Sequence, residues 1–255
     1  MRFEFQGVTM SYGERSSILN DVTFSIPVGK RVALIGQSGS GKSTLASLLR
    51  RDRDPTGGQV MLNGRDLRDY NLASVLRYMG NILQRPEIMS GTVRENILYG
   101  IPSDMIVKDE DIWATIDLVS PELRRRFLVD GLDTKVGKQG FQLSGGEQQR
   151  LCVMRALQKK PRMLVVDEAT SSLDSETELV VQEGIDTALR LGITALVIAH
   201  RFSTLRNCDQ FVVLRKISDC LTGESQVEAV ADSMVELMEI SPTFRRLTEA
   251  QNFRP

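Results

Sequence analysis

The stretch GQSGSGKS at 36–43 has a spacing that does chemistry, glycine, four residues, glycine, lysine, serine. Gly36, Gln37, Ser38, Gly39, Ser40 and Gly41 can turn backbone N–H groups inward onto phosphate oxygens. Lys42 can then reach the β- and γ-phosphates, and the Ser43 hydroxyl can ligate Mg2+, with Thr44 next along the chain. The context agrees. RVALIG (31–36) is a short apolar run ending in glycine, as a buried strand should be, and the residues after it put Leu45, Leu48 and Leu49 on one helical face. A helix starting at such a loop adds a dipole that favours an anion. The alternative, a plain Gly/Ser turn, does not account for this strand-before, helix-after setting.

A second candidate is LSGGEQQR at 143–150. Ser144 and Glu147 have the spacing of a capping box, so this segment could be no more than a helix start. Two glycines, Gly145 and Gly146, inside the first turn cost up to ~1 kcal/mol each against alanine, which makes sense if something must approach the backbone closely. Asp167 and Glu168 close the apolar run MLVVDE (163–168). An acidic pair at a strand end can simply cap a turn. Beside a phosphate loop it reads as a Mg2+-organising aspartate followed by a general base that takes a proton from the attacking water.

The elements that must hold these residues alternate. Phe3, Phe5 and Val8, then Val22, Phe24 and Ile26, suggest antiparallel strands; QVMLNG (59–64), RYMGNIL (77–83), TALVIAH (194–200) and QFVVLR (210–215) read as further strands. Ser175 to Glu178 has capping-box spacing before a helix that should stop near Gly192. Strands alternating with helices predict a mostly parallel sheet covered on both faces, with ligands at the carboxyl ends of its strands. From about 85 to 160 helical spacing takes over, as in VRENILYG and DIWATIDLV. At 255 residues, 41% hydrophobic and 25% charged, the composition is that of a globular α/β protein. The formal net charge of −1 goes against a dedicated nucleic-acid binder, and Arg124, Arg125 and Arg126 read as a solvated helix face. Three cysteines without a CxxC pair and a single histidine offer no zinc set. No opening segment reads as a signal peptide, and no apolar run approaches the ~20 residues of a membrane span.

Taken together, the chain resembles the nucleotide-binding domain of an ATP-binding cassette (ABC) transporter. GQSGSGKST resembles the family's Walker A, LSGGEQQR its signature, MLVVDE its Walker B and SSLD (171–174) its D-loop, ending at Asp174. Gln84 matches the Q-loop glutamine and His200 the switch histidine, while Tyr12 sits where the family stacks an aromatic on adenine. TVRENILYG (92–100) resembles the exporter branch. The resemblance implies an α/β fold, a P-loop NTPase (RecA-like) core with an N-terminal antiparallel β-subdomain and an inserted α-helical subdomain. The core would take 1–84 and 157–255 and the signature-bearing lobe 85–156. It implies ATP and Mg2+ as ligands, with Lys42, Gln84, Glu168 and His200 catalytic and Ser43, Gln84 and Asp167 on the metal. It implies two domains packed head to tail, as a homo- or heterodimer, so that Ser144 and Gly146 of one contact the γ-phosphate held by the other. It also implies a transmembrane exporter domain as partner, fused or separate, and a place on the cytoplasmic face of a membrane. The alternatives are a soluble ABC ATPase of DNA repair or translation, which usually carries coiled coils or a second cassette, and a hydrolysis-poor regulatory cassette. Three departures stand out. Glu147 replaces the consensus glutamine of the signature, Lys138 reverses a charge in VGKQG (136–140), and no glycine-bearing hairpin is recognisable after QFVVL, where RKISDCLTGESQVEAVADS could be an insertion or a rearranged edge.

Overall fold

A computed structural model describes residues 1–13, 17–83, 85–127, 130–137, 140, 142–167, 183, 185–187, 190–198, 205–221 and 223–251. The chain divides into two compact units: Met1–Leu76 with Val165–Asp167 and Thr194–Pro255, and Arg77–Leu164 with Glu168–Ile193.

The first unit opens with β1 (Phe3–Ser11), β2 (Ser17–Ile26), β3 (Arg31–Gly36), α1 (Lys42–Leu49), β4 (Gly57–Leu62), β5 (Arg65–Asp66) and α2 (Leu72–Leu76). Strands β2, β1, β4 and β5 form an antiparallel sheet in that order. The expected alternation is there: Phe3, Phe5, Val8 and Met10 of β1 and Leu19, Val22, Phe24 and Ile26 of β2 are buried. The three-residue step from Phe5 to Val8 coincides with a break in the β1–β2 register, so an irregularity in the ladder carries the apolar face across an imperfect pattern. Phe5 and Phe24 are paired across the strands with rings stacked at 4.6 Å.

The second unit holds β6 (Met79–Ile82), β7 (Gly91–Thr92), α3 (Val93–Leu98), α4 (Asp109–Val119), α5 (Pro121–Arg126), β8 (Lys135–Val136) and α6 (Gly145–Gln158). β7 and β8 make a two-residue antiparallel ladder. Thr92 caps α3 reciprocally: its hydroxyl accepts from the Glu95 N–H at 3.1 Å, and the Glu95 carboxylate accepts from the Thr92 N–H at 2.7 Å. α3 and α4 pack on α6, whose Leu151, Val153 and Met154 are fully buried.

The chain then runs through β9 (Met163–Asp167), β10 (Thr194–Ile198), β11 (Gln210–Leu214) and β12 (Val227–Ala231), and ends in helices Met234–Ile240 and Pro242–Ala250. In the first unit β12, β11, β3, β10 and β9 are successive neighbours in one sheet. β10 and β11 flank β3 in parallel, and β12 closes the edge antiparallel to β11. Val32, Ala33 and Leu34 of the central strand are completely buried, as continuous apolar runs in a two-sided sheet must be. The segment after QFVVL does form a hairpin. Residues 215–226 make the connection, with a 3-10 turn at Ile217–Asp219, before β12 pairs Ala231 with Phe211 and Val230 with Val212. The mixed α/β architecture, with an antiparallel sheet and a largely parallel one, is the one the sequence implied.

Candidate functional site

The loop between β3 and α1 is built around backbone geometry that side chains would obstruct. Gly41, at φ +87°, is the residue before the first turn of α1, and no side chain caps that helix. A Cβ there would come within 2.5 Å of the Leu19 side chain and 3.1 Å of the Ile18 carbonyl, besides being strained by the left-handed backbone. At Gly36 a Cβ would lie 2.7 Å from the Leu214 carbonyl and 2.5 Å from Ser40 Oγ. The chain therefore turns tightly off β3, beside β11, into a helix start that its own cap residue, a glycine, cannot cap with a side chain.

Lys42 is 5% exposed, and its ammonium donates to the carbonyls of Gly36 at 2.7 Å and Gln37 at 3.0 Å. The positive charge is thus folded back over the loop it belongs to. Ser40 is fully buried, its N–H bonded to the Gln37 carbonyl and its carbonyl accepting from Gln226 Nε2 at 2.9 Å, while its hydroxyl oxygen has no hydrogen-bond partner among the described residues. Ser38, Gly39 and Ser43 are exposed, and Gln37 and Thr44 half-buried. A bare helix start, a retained lysine and a glycine-built turn fit a phosphate group.

Asp167 stands half-buried at the end of β9. Among the described residues no three His, Cys, Asp or Glu side chains converge as a metal cluster. Ser43 and Asp167 are hard oxygen donors of the kind that hold Mg2+ together with substrate phosphates. Tyr12 is half-buried, and the Arg53 guanidinium lies over its ring, 4.7 Å from the centroid.

At the second candidate, the expected capping box is present. The Ser144 hydroxyl accepts from the Glu147 N–H at 3.3 Å, and the Glu147 carboxylate accepts from the Ser144 N–H at 2.8 Å. Ser144 and Gly145 are exposed and Gly146 is buried. A serine hydroxyl that accepts this bond still has its own proton to donate. Glu147 is 4% exposed, and its other carboxylate oxygen pairs with the guanidinium of Arg126 at the end of α5. Arg124, Arg125 and Arg126 are exposed on α5, as a solvated helix face should be; from that face Arg126 also neutralises a buried carboxylate in the signature, and Arg124 pairs with Asp117 and covers the Trp113 ring. Nothing in the spacing of Arg126 and Glu147 announces their contact. The only available hint was the carboxylate itself, which needs a cation if it is to sit beside an anion. Gln226 was also missed, because nothing local marks it. Gln84, Glu168, Asp174 and His200, and the departure at Lys138, lie outside the described residues.

Comparison with known proteins points one way. A protein-family model described as "ABC transporter" matches residues 19–171. The chain is 44% identical over 215 residues to ABC transporter B family member 1 of Arabidopsis thaliana, covering 84% of this chain and 16% of that protein. It is 44% identical over 212 residues to ABC multidrug transporter mdr2 of Aspergillus fumigatus, covering 82% of this chain and 26% of that protein. Among solved structures, a bacterial Atm1-family ABC exporter with ATP bound superposes with a TM-score of 0.82 at 29% identity, over 99% of this chain and 42% of that one. The chain thus spans about a sixth to a quarter of the length of these curated relatives.

Proposed function

Because this chain belongs to the ABC transporter family, we propose that it works as the ATP-hydrolysing engine of a membrane exporter, closing on a second such domain around two ATP molecules. It is an exporter-type ABC nucleotide-binding domain, in a family of transport-coupled ATPases. The observation that carries the proposal is the β3–α1 loop, where Gly36 and Gly41 leave room for backbone donors and Lys42 is held against the loop's own carbonyls.

In this reading Lys42 exchanges the Gly36 and Gln37 carbonyls for the β- and γ-phosphate oxygens, a stronger, charge-assisted contact. Tyr12 stacks on the adenine. Ser43 and Asp167, with Gln84, would hold Mg2+, which would neutralise developing phosphate charge. Glu168 accepts a proton from water as that water attacks the γ-phosphorus and the bond to the β–γ bridging oxygen breaks; His200 contacts the γ-phosphate. Ser144 and Gly146, with Gly145 between them, supply the second cradle to ATP held by the opposite domain, and Asp174 lines the shared boundary. Arg126 keeps Glu147 from presenting net negative charge there. Loss of phosphate removes the shared ligand, the pair loosens, and a transmembrane exporter domain, fused or separate, converts the motion to transport at the cytoplasmic membrane face. The signature-bearing lobe is 85–156 and the core 1–84 with 157–255.

Wild type beside Glu168→Gln tests this. Wild type is expected to hydrolyse Mg-ATP with a specific rate that rises with protein concentration. The variant is expected to bind ATP, form a stable dimer by light scattering, and lose hydrolysis by roughly 10²–10⁴-fold, the contribution of a positioned general base. A monomer hydrolysing at a concentration-independent rate overturns the shared site, and an inert wild type that still dimerises overturns the enzyme.

A further inference from the structure

The connection between β11 and β12 reaches the phosphate loop. Gln226, in that segment, is fully buried. Its Nε2 donates to the Ser40 carbonyl at 2.9 Å and to the Arg215 carbonyl at 3.0 Å, and its Oε1 accepts from the Asn20 N–H at 3.2 Å. The backbone around it is clamped to β2: the Gln226 N–H donates to the Asn20 carbonyl at 3.1 Å, Asn20 Nδ2 to the Glu224 carbonyl at 3.1 Å, and Ser225 Oγ to the Asp21 carbonyl at 2.6 Å. The same strand supplies Ile18 and Leu19, which wall in Gly41.

We propose that Gln226 is a positioning residue for the phosphate loop, fixing the orientation of the Ser40–Gly41 peptide. A trans peptide is planar, so its carbonyl and its N–H point in opposite directions. Anchoring the Ser40 oxygen on Gln226, away from the ligand, turns the Gly41 N–H toward the anion. A glycine at φ +87° has no side chain to set that orientation itself. Both amide protons and the amide oxygen of Gln226 are used, so rotation of its side chain would break three bonds together. The inference rests on the reading of 36–43 as the ATP phosphate site.

Gln226→Met preserves the unbranched stem and removes the three bonds. Its Kd for ATP, by calorimetry on the folded full chain, is expected to rise about five- to tenfold, the worth of an ordinary hydrogen bond. Its kcat at saturating ATP should stay within about twofold, because positioned binding rather than chemistry is lost. Gln226→Glu keeps an acceptor for Asn20 but cannot donate when ionised, and it should weaken ATP likewise. It carries the comparison if the methionine variant does not fold. Ser225→Ala separates loop orientation from edge stability: it is expected to lower the urea midpoint and leave the ATP Kd unchanged. Unaltered ATP affinity in both Gln226 variants, or equal weakening by Ser225→Ala, overturns the proposal. A wild type that binds no ATP overturns the phosphate-site reading instead.

Discussion

A carboxylate in a segment proposed to cradle a phosphate is unfavourable unless its charge is matched, and Glu147 is matched twice. The Ser144 N–H and the Arg126 guanidinium take its two oxygens, and the side chain is 4% exposed. Removing the cation alone leaves a buried carboxylate with one donor; removing both charges leaves a glutamine that can still accept the Ser144 N–H. Arg126→Ala is therefore expected to destabilise the protein by about 2 kcal/mol, the scale of a hydrogen bond to a charged group. It should also weaken ATP-driven dimerisation. Arg126→Ala with Glu147→Gln should recover most of both losses. Urea unfolding and light scattering on the four proteins of this cycle give the coupling directly, and additive effects would separate the two residues. Lys42 belongs to the same scale. Lys42→Ala removes the ammonium that now bridges two loop carbonyls, and ATP binding is expected to fall below detection in the same calorimetry.

At the scale of elements, ends decide more than middles. α3 and α6 both begin at reciprocal caps that the spacing Thr92–Glu95 and Ser144–Glu147 makes possible. The C-terminal helix Pro242–Ala250 is held from outside itself. Glu228 of β12 accepts from Ser241 Oγ and Thr243 Oγ1 at 2.5 Å and from the Thr243 N–H at 2.9 Å. Burial pushes the Glu228 carboxyl up, but these donors, helped by Arg215, outweigh it and hold the group below its ordinary value. A carboxylate depressed on folding stabilises fully above its unfolded value, about pH 4.3, and that contribution disappears as pH falls through the lower folded value. Glu228→Ala should cost about 2 kcal/mol at pH 7. Its stability should fall less than that of wild type on acidification below about pH 4.3. Urea midpoints measured from pH 7 down to pH 3 check both signs, and parallel acid profiles would contradict them. Cys152, buried in α6, has its thiol pushed up by burial, which keeps it protonated and slow toward alkylating agents in the native state.

For the molecule as a whole, ATP is a ligand of the native state and adds stability by mass action. At a hundredfold excess over Kd the gain is about 2.7 kcal/mol for one site. Wild type should show that gain by chemical denaturation with Mg-ATP, with a further increment that depends on protein concentration once dimers form, while Lys42→Ala should show neither. A gain independent of protein concentration would mean that each ATP is held by one chain alone.

Much of the candidate site was legible locally. The phosphate loop, the signature cap and the strand ending at Asp167 each occupy a few consecutive residues, and turn geometry, helix capping and buried apolar runs are short-range consequences of residue type. The β1 irregularity after Phe5 was visible only as imperfect alternation, and the hairpin after QFVVL was not recognisable, because residues 215–226 separate its strands where a short turn is the local signal. By itself the sequence determined the α/β class and the nucleotide-binding family, and it nominated the groups proposed to perform the chemistry. Only the tertiary structure decided how those groups are held: Arg126 on Glu147 across 21 positions, and Gln226 on Ser40 across 186. Capping and phosphate cradling depend on near neighbours in the chain, whereas the partner of a buried charge or carbonyl is whichever group folding delivers to it, and a one-dimensional spacing carries no record of that.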